Sequence, residues 1–408
     1  MAGGGGGEGN GWIWILVAGV ALCGAGYGLE LAELGPHWAS VACLAVGGLA
    51  VVFGSVEAMI KSVEGVGKRL NWNQFVAGTI AGLASNLPEI VMLGFVVAAA
   101  PRVAFVVVTL TLHVNALTFG VYSGLLPRDE SGGARLPAAL VKISTDLYAA
   151  GGGVFLATGS LMLVMKVFST DDHRGSGLGP WDLVVIGVCL LAVQVVATTQ
   201  MVKRFSKDED AQDAPPPEVP PPEEPPPEEK LGEDTPPEEA PPSWASIAGW
   251  GVLSAVTSLL GGHAVGDFAD ALVSGLEAAG YPEMIGAIIL SIFAGAGAYV
   301  MIASAHFKGM YDVALAGVSG SITQVPFLVL PAVMLLIGVF SLTGLVPALP
   351  DGVALPIDLE TTSVVLLAFP PMLILWKSVQ DDGKVNWVET AGMVSVFGLV
   401  IYFLAKHG

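Results

Sequence analysis

Charge is what this sequence has little of. Only 13% of its 408 residues are Asp, Glu, Lys or Arg, where a soluble domain carries about a quarter, and 53% are hydrophobic. That balance excludes a soluble globular enzyme and a disordered chain. Basic residues are the scarcer sign: 17 Lys and Arg stand against 36 Asp and Glu, for a net charge of −19. Without a basic face, a nucleic-acid binder is excluded too. Cysteine is nearly absent. Cys23, Cys43 and Cys189 all sit in apolar runs and read as small core residues, so neither disulfides nor a thiolate metal site is expected. The apolar runs hold no His/acid motif with metalloenzyme spacing. Ala294-Gly-Ala-Gly-Ala298 lacks the strand and the Lys of a phosphate loop and reads as a close-packing segment. Neither an enzyme nor a bound cofactor is therefore expected. Met1 to Gly11 has no Lys or Arg, so the first apolar run is expected to be a retained helix rather than a signal peptide.

What is abundant is long apolar sequence and glycine, 53 residues of it, which lets membrane helices approach closely. A helix needs roughly 20 apolar residues to cross about 30 Å of hydrocarbon. Eleven runs qualify: 12–34, 38–66, 73–99, 102–126, 137–168, 181–204, 244–279, 282–305, 311–345, 356–379 and 385–406. They are too long and too continuous for β-barrel strands. The chain is expected to be an all-α polytopic membrane protein.

Sidedness follows from Lys and Arg. With the N-terminus inside and each run crossing once, Lys61, Lys68, Arg69, Arg128, Arg135, Lys142, Lys203, Arg204, Lys207, Lys230, Lys308, Lys377 and Lys384 lie on or near the cytoplasmic side. Arg102, Lys166, Arg174 and Lys406 fall outside. Residues 208–242 hold thirteen acids and one base, Lys230, within a Pro/Glu low-complexity run, and so carry most of the net charge. They read as an extended cytoplasmic spacer, with weak cation buffering or regulation as the alternative. This linker divides the chain. The expected parts are 1–37, an N-terminal tail with an extra helix; 38–205, a first repeat; 206–243, the linker; and 244–408, a second repeat. Gly54-Ser-Val-Glu57 through Glu64 and Gly266-Asp267 through Glu277 support the repeat. In each, acids near the end of a long helix precede a polar turn and a further apolar helix. Five spans per half invert the second relative to the first, an architecture that places a transport site at the midplane between repeats.

Ionisable residues inside a span are functional candidates, because burial there is costly. Glu89, in Gly82-Leu-Ala-Ser-Asn86-Leu-Pro88-Glu89, is the clearest. Pro88 removes a backbone donor and should break the helix, freeing carbonyls for a cation. Thr79, Asn86 and Glu89 fall near one face, and their oxygens suit Na⁺ or Ca²⁺. A structural carboxylate satisfied by a neighbouring helix is the other reading. In 102–126, Thr111, Asn115 and Thr118 share a face. Asn115 is a candidate ligand, Thr111 a possible supporting residue, and His113 either a proton carrier or a satisfied core histidine. In the second half, Ser321, Thr323 and Gln324 precede Pro326, which suggests a broken, cavity-facing helix. Asp312 stands at its cytoplasmic start as a possible coupling residue or a surface charge.

These motifs resemble the calcium/cation antiporter superfamily, the sodium/calcium exchanger membrane region. Each half of that family carries a Gly-Thr-Ser-Leu-Pro-Glu helix followed by a helix with Gly-Asp-Leu-Ala-Leu-Gly-Asn and Gly-Ser-Asn. Ser85-Asn86-Leu87-Pro88-Glu89 is similar to the first element, and the resemblance makes Glu89 a cation ligand. Gly54-Ser-Val-Glu57 is similar to a preceding Gly-Ala-Glu, which brings in Glu57. Asp312 to Gly317 and Gly320-Ser321 are similar to the second repeat's elements. The second Leu-Pro-Glu falls near Ala298–Val300, where no acid stands.

The expected function is a secondary active cation antiporter, sodium/calcium-exchanger-like, driven by a Na⁺ or H⁺ gradient. Glu89, Asn86, Asn115 and Ser321 are the expected ligands, and Glu57, Thr79, Ser85, Thr111, His113, Asp312 and Gln324 the coupling or supporting residues. The alternatives are a proton-coupled or monovalent exchanger, favoured by the missing acid, and a non-transporting scaffold. The expected partners are the lipid bilayer and inorganic cations, in the plasma (inner) membrane.

Overall fold

A computed structural model describes residues 11–33, 37–70, 72, 80, 82–126, 133–136, 138–168, 177–205, 242–295, 299, 302, 306, 311–346, 352–381 and 383–407. The linker expected over 206–243 falls almost wholly outside them.

The first half holds α1 (Gly11–Leu31), α2 (His37–Arg69), α3 (Asn86–Ala99), α4 (Pro101–Leu125), α5 (Ala138–Phe168) and α6 (Pro180–Phe205). The second holds α7 (Trp244–Ala278), α8 (Glu283–Ala294), α9 (Tyr311–Gln324), a π-helical turn (Val325–Val329), α10 (Leu330–Thr343), α11 (Leu359–Leu367), α12 (Phe369–Asp381) and α13 (Trp387–His407). Among the described residues, ten stretches are long and apolar enough to span a bilayer, and Glu283–Ala294 is a shorter apolar helix in the place of the remaining expected span.

α4 is the axis of the core. Residues 103–116 are buried without interruption, on every side, as expected of a helix that is apolar all round. α8, α9, α10, α11 and α13 pack around it. α1, α2 and α7 form a layer that packs on α3 through α7 and is drawn together by small residues. A Cβ at Gly19 would meet Ala50 Cβ at 2.8 Å, and one at Gly261 would meet the Gly48 carbonyl at 3.0 Å. Hydroxyls add to this seam: Ser55 Oγ donates to Thr257 Oγ1 (2.7 Å) and Ser254 Oγ to the Ser55 carbonyl (2.8 Å). The Tyr27 hydroxyl donates to Asp267 Oδ2 (2.8 Å), fastening α1 to α7.

Four two-residue strands tie the halves together. β1 (Ala134–Arg135) pairs antiparallel with β4 (Lys384–Val385), and β2 (Gly177–Leu178) with β3 (Leu355–Pro356). With alternate crossing, the α4–α5 and α12–α13 loops share one side, and the α5–α6 and α10–α11 loops share the other. The loops that meet are therefore the ones the eleven-crossing topology puts together. The side rich in Lys and Arg is also edged with tryptophan. Lys61 Nζ lies 5.3 Å from the Trp12 ring and 5.6 Å from Trp250, and the Arg69 guanidinium lies 5.3 Å from Trp244. Such rings sit at membrane–water boundaries.

Two helix breaks differ from expectation. The break near Pro88 comes three residues earlier, at Ser85, and Pro88 occupies the first turn of α3, where a missing N–H costs little. The chain around Pro326 does not break. It widens into the π-helical turn and continues as α10, because the Leu330 N–H reaches the Val325 carbonyl five residues back.

Candidate functional site

Glu89 projects from the first turn of α3, whose buried face (Met92, Leu93, Val96, Val97) holds the helix in the core. The carboxylate is partly buried, and among the described residues no hydrogen bond or ion pair reaches it. Nor, among the described residues, do three His, Cys, Asp or Glu side chains gather so that they could hold a metal ion. A carboxylate within a span and without a partner is a costly arrangement for a purely structural role.

One turn earlier, Asn86 is 8% exposed. Its Nδ2 donates to the carbonyls of Gly82 (3.0 Å) and Leu83 (3.3 Å) and to Gln324 Oε1 (2.7 Å). Its donor capacity is thus turned backward and across to the second half, and Oδ1 is on the same helical turn as Glu89 with no partner among the described residues. Ser85 Oγ also donates to the Gly82 carbonyl (2.7 Å). The carbonyls loosened at the break are therefore partly occupied by local side chains, contrary to the expectation that they stand free. Gly82 and Gly320 give Gln324 its room: a Cβ at either would lie 3.7 or 3.8 Å from its Nε2. Asn86 and Gln324 are so brought together from opposite halves.

The other expected residues are dispersed. Asn115 is buried, with its Oδ1 unpaired. On the same face, Thr111 Oγ1 is bonded to the Val107 carbonyl and Thr118 Oγ1 to that of Val114. His113 turns to α11, where Nε2 meets the Val364 carbonyl at 3.0 Å and Nδ1 is left unpaired. Ser321 Oγ bonds its own helix at the Gly317 carbonyl. Glu57 is partly buried on α2. Thr79 and the side chain of Asp312 lie outside the described residues.

Tyr299 enters the site unannounced by its residue type. Its hydroxyl is buried beside Thr118. It folds back over Gly295, where a Cβ would collide with the ring oxygen. The sequence marked 298–300 only as a place where an acid was missing.

At the start of α4 a second charged group has formed. Arg102, in the first turn of α4, pairs with Glu283 (2.6 Å), Asp358 (2.7 Å) and Glu360 (3.2 Å). Asp358 also caps α11: Oδ1 accepts from the Thr361 N–H at 2.8 Å. Burial pushes the Asp358 carboxyl up, but the Thr361 N–H and the Arg102 guanidinium outweigh it and hold it below the usual carboxylate range.

Comparison with known proteins follows the same lines. Residues 249–406 match the family model of the sodium/calcium exchanger protein. Among solved structures, the H⁺/Ca²⁺ exchanger CAX aligns at 14% identity and TM-score 0.61 over 98% of this chain and 89% of that one. Native YfkE aligns at 14% identity and TM-score 0.59 over 97% and 99%. The sodium-calcium exchanger NCX_Mj, soaked with zero Na⁺ and Ca²⁺, aligns at 15% identity and TM-score 0.50 over 88% and 99%. No curated protein matches. The fold is that of these all-α exchangers. The sodium/calcium exchanger family model covers the second half only.

Proposed function

We propose that this integral, multi-pass membrane protein is a secondary active cation antiporter, with the Glu89 carboxylate and Asn86 Oδ1 as its principal cation ligands. The observation that carries this reading is the state of Glu89. It is an acid within a span, unpaired among the described residues, one turn from Asn86, whose amide nitrogen is turned toward Gln324. Carboxylate and amide oxygens suit hard cations. Asn115, whose Oδ1 is buried and unpaired, is a further candidate ligand from α4. Gln324 orients Asn86 from the other half, so a relative movement of the halves reaches the ligand set directly. That coupling is what alternating access needs. No cofactor enters the reading, and an ion gradient supplies the drive. The basic residues favour a cytoplasmic N-terminus and linker in a plasma (inner) membrane. The exchanger-like assignment rests on the family model over 249–406, and a scaffold would have no use for an unpaired carboxylate at this depth.

The test is ion flux in proteoliposomes under Na⁺, Ca²⁺ and H⁺ gradients imposed separately, with wild type and Glu89→Gln. Wild type is expected to exchange cations, and the variant to fold and to lose flux at least a hundredfold. A well-folded variant that transports like wild type overturns the assignment of Glu89.

A further inference from the structure

A histidine that the cation site does not use stands where three helices meet. His263 lies near the middle of α7, and its imidazole is held between two rings: Tyr27 of α1, stacked at 5.9 Å and 26°, and Phe95 of α3, tilted at 5.5 Å and 40°. Its Nδ1 is 3.7 Å from Asp267 Oδ1, one turn along the same helix, and the other oxygen of Asp267 accepts from the Tyr27 hydroxyl at 2.8 Å. At 3.7 Å the imidazole and the carboxylate are within reach of an ion pair but short of a hydrogen bond. Tyr27 is fifteen residues past Trp12 on α1, so the group stands about 22 Å from the edge that Trp12, Lys61 and Trp250 mark, still inside about 30 Å of hydrocarbon. His263 is 57% exposed and Asp267 39%, so neither is sealed inside the bundle. Glu30 and Asp270, both exposed and about one turn further along, continue the polar track toward the far surface. Among the described residues, the other titratable side chains at this level are Cys23 of α1 and Cys43 beside it on α2. Glu57 and Glu64 of α2 stand within a turn of Lys61, at the opposite edge, and Glu283 of α8 is engaged by Arg102. α3 brings only Glu89, nearly two turns before Phe95. Glycine lets α7 meet α3 here: a Cβ at Gly266 would sit 2.8 Å from Phe95 Cβ, and one at Gly262 3.1 Å from Met92 Cα. Met92 and Phe95 follow Glu89 on α3, so what holds α7 at this level holds the helix of the cation ligand.

We propose that His263 is a proton site, built with Tyr27 and Asp267, whose protonation braces α7 against α3 and slows cation exchange. This rests on the reading of Glu89 as the ligand that α3 carries. While the imidazole is neutral, Asp267 is a carboxylate within the span, held by the Tyr27 hydroxyl. An imidazolium makes the pair neutral and closes the 3.7 Å gap into a charge-assisted hydrogen bond. It also sets a cation between two aromatic rings, one on α1 and one on α3, an attraction that the neutral ring lacks. The proton comes from water and returns to it, and no other bond is made or broken.

The experiment follows isotope exchange of ²²Na⁺ and of ⁴⁵Ca²⁺ through the full chain in proteoliposomes, with cation concentration and pH equal on both sides. Between about pH 8 and 5.5, where histidines change charge, the ratio of wild-type to His263→Gln exchange should fall about threefold, the effect of one exposed cation–π contact. His263→Arg carries a planar charge at every pH and should run at the slow rate throughout. A ratio that stays constant overturns the proposal. If the Gln variant does not fold, the Arg variant decides, since exchange at the wild-type rate at pH 8 overturns it equally. A readout without flux separates this from the reading of Glu89. In ¹⁵N-histidine NMR, the ring signal missing from His263→Gln should titrate over the same pH range, and its midpoint should change in Asp267→Asn. A signal that does not titrate, or a midpoint that does not move, overturns the proton site even where transport stands. If Glu89→Gln exchanges ions like wild type, the reading of Glu89 falls while the ratio still tests His263. If wild type exchanges no ion, the transport reading falls and the slowing with it, and the titration alone upholds or overturns the proton site.

Discussion

Arg102 and Glu89 lie on neighbouring helices and are both drawn out of water, yet the molecule treats them in opposite ways. Arg102 meets three carboxylates within 3.2 Å, each from the second half. Glu89 meets none of the described cations and no donor. The first arrangement satisfies a charge and joins the starts of α4, α8 and α11. The second keeps a charge unsatisfied, at a cost in stability that folding alone would remove. Read together, they separate a charge used as a fastener from one kept available for a ligand.

The two charges therefore respond differently to substitution. The largest effect on stability is expected at the fastener. Arg102→Ala leaves Glu283, Asp358 and Glu360 facing one another without their counter-ion. It should cost about 3 kcal/mol, the low end for removing one partner of a buried pair, because the group is partly exposed. Thermal unfolding in detergent measures it, and a loss under about 0.5 kcal/mol would put this group with ordinary surface pairs.

Acid should find the same cluster. Asp358 is held below its ordinary range, so its contribution is fully present above the unfolded carboxylate value of about 4. It is lost as the pH falls through the depressed folded value. The unfolding temperature should then be insensitive to this residue from pH 7 to 5 and fall below about pH 4, and Asp358→Asn should shrink that fall.

Gln324→Ala removes the acceptor that orients Asn86 and should cost about 1 kcal/mol, read as up to a tenfold loss in apparent cation affinity. An equal loss in Gln324→Glu, which keeps the acceptor, would argue against orientation as its role. The smallest effect is expected from the linker. Replacing the thirteen acids of 208–242 with Ser should change flux less than about twofold if the segment is a spacer.

Much of the fold was legible because a bilayer imposes length and polarity rules on a helix that need no partner to be read. The spans 137–168, 244–279 and 385–406 lie within a few residues of α5, α7 and α13. Glu89 was legible for the same reason, since an acid in an apolar run is conspicuous. What was not legible depends on pairing at long range. Arg102 and its acids are separated by 181 to 258 positions, and Asn86 and Gln324 by 238, so nothing in local spacing joins them. Tyr299 was hidden differently, because an aromatic residue in an apolar run reads as core until its hydroxyl is seen beside Thr118. Proline was over-read: at Pro88 it sits where a helix begins, and at Pro326 the backbone absorbs it as one wide turn.

If Glu89 is kept unsatisfied in order to bind a cation, the cation must stabilise the folded protein through it. Thermal unfolding of purified wild type and Glu89→Gln should be followed with and without Na⁺. A ligand at a hundred times its dissociation constant stabilises by about 2.7 kcal/mol. Wild type should therefore rise by an amount of that order on adding saturating Na⁺. The variant should start higher in the absence of Na⁺, its neutral amide being easier to bury, and should not respond. A variant that starts lower than wild type and still gains the same stabilisation from Na⁺ would contradict the account.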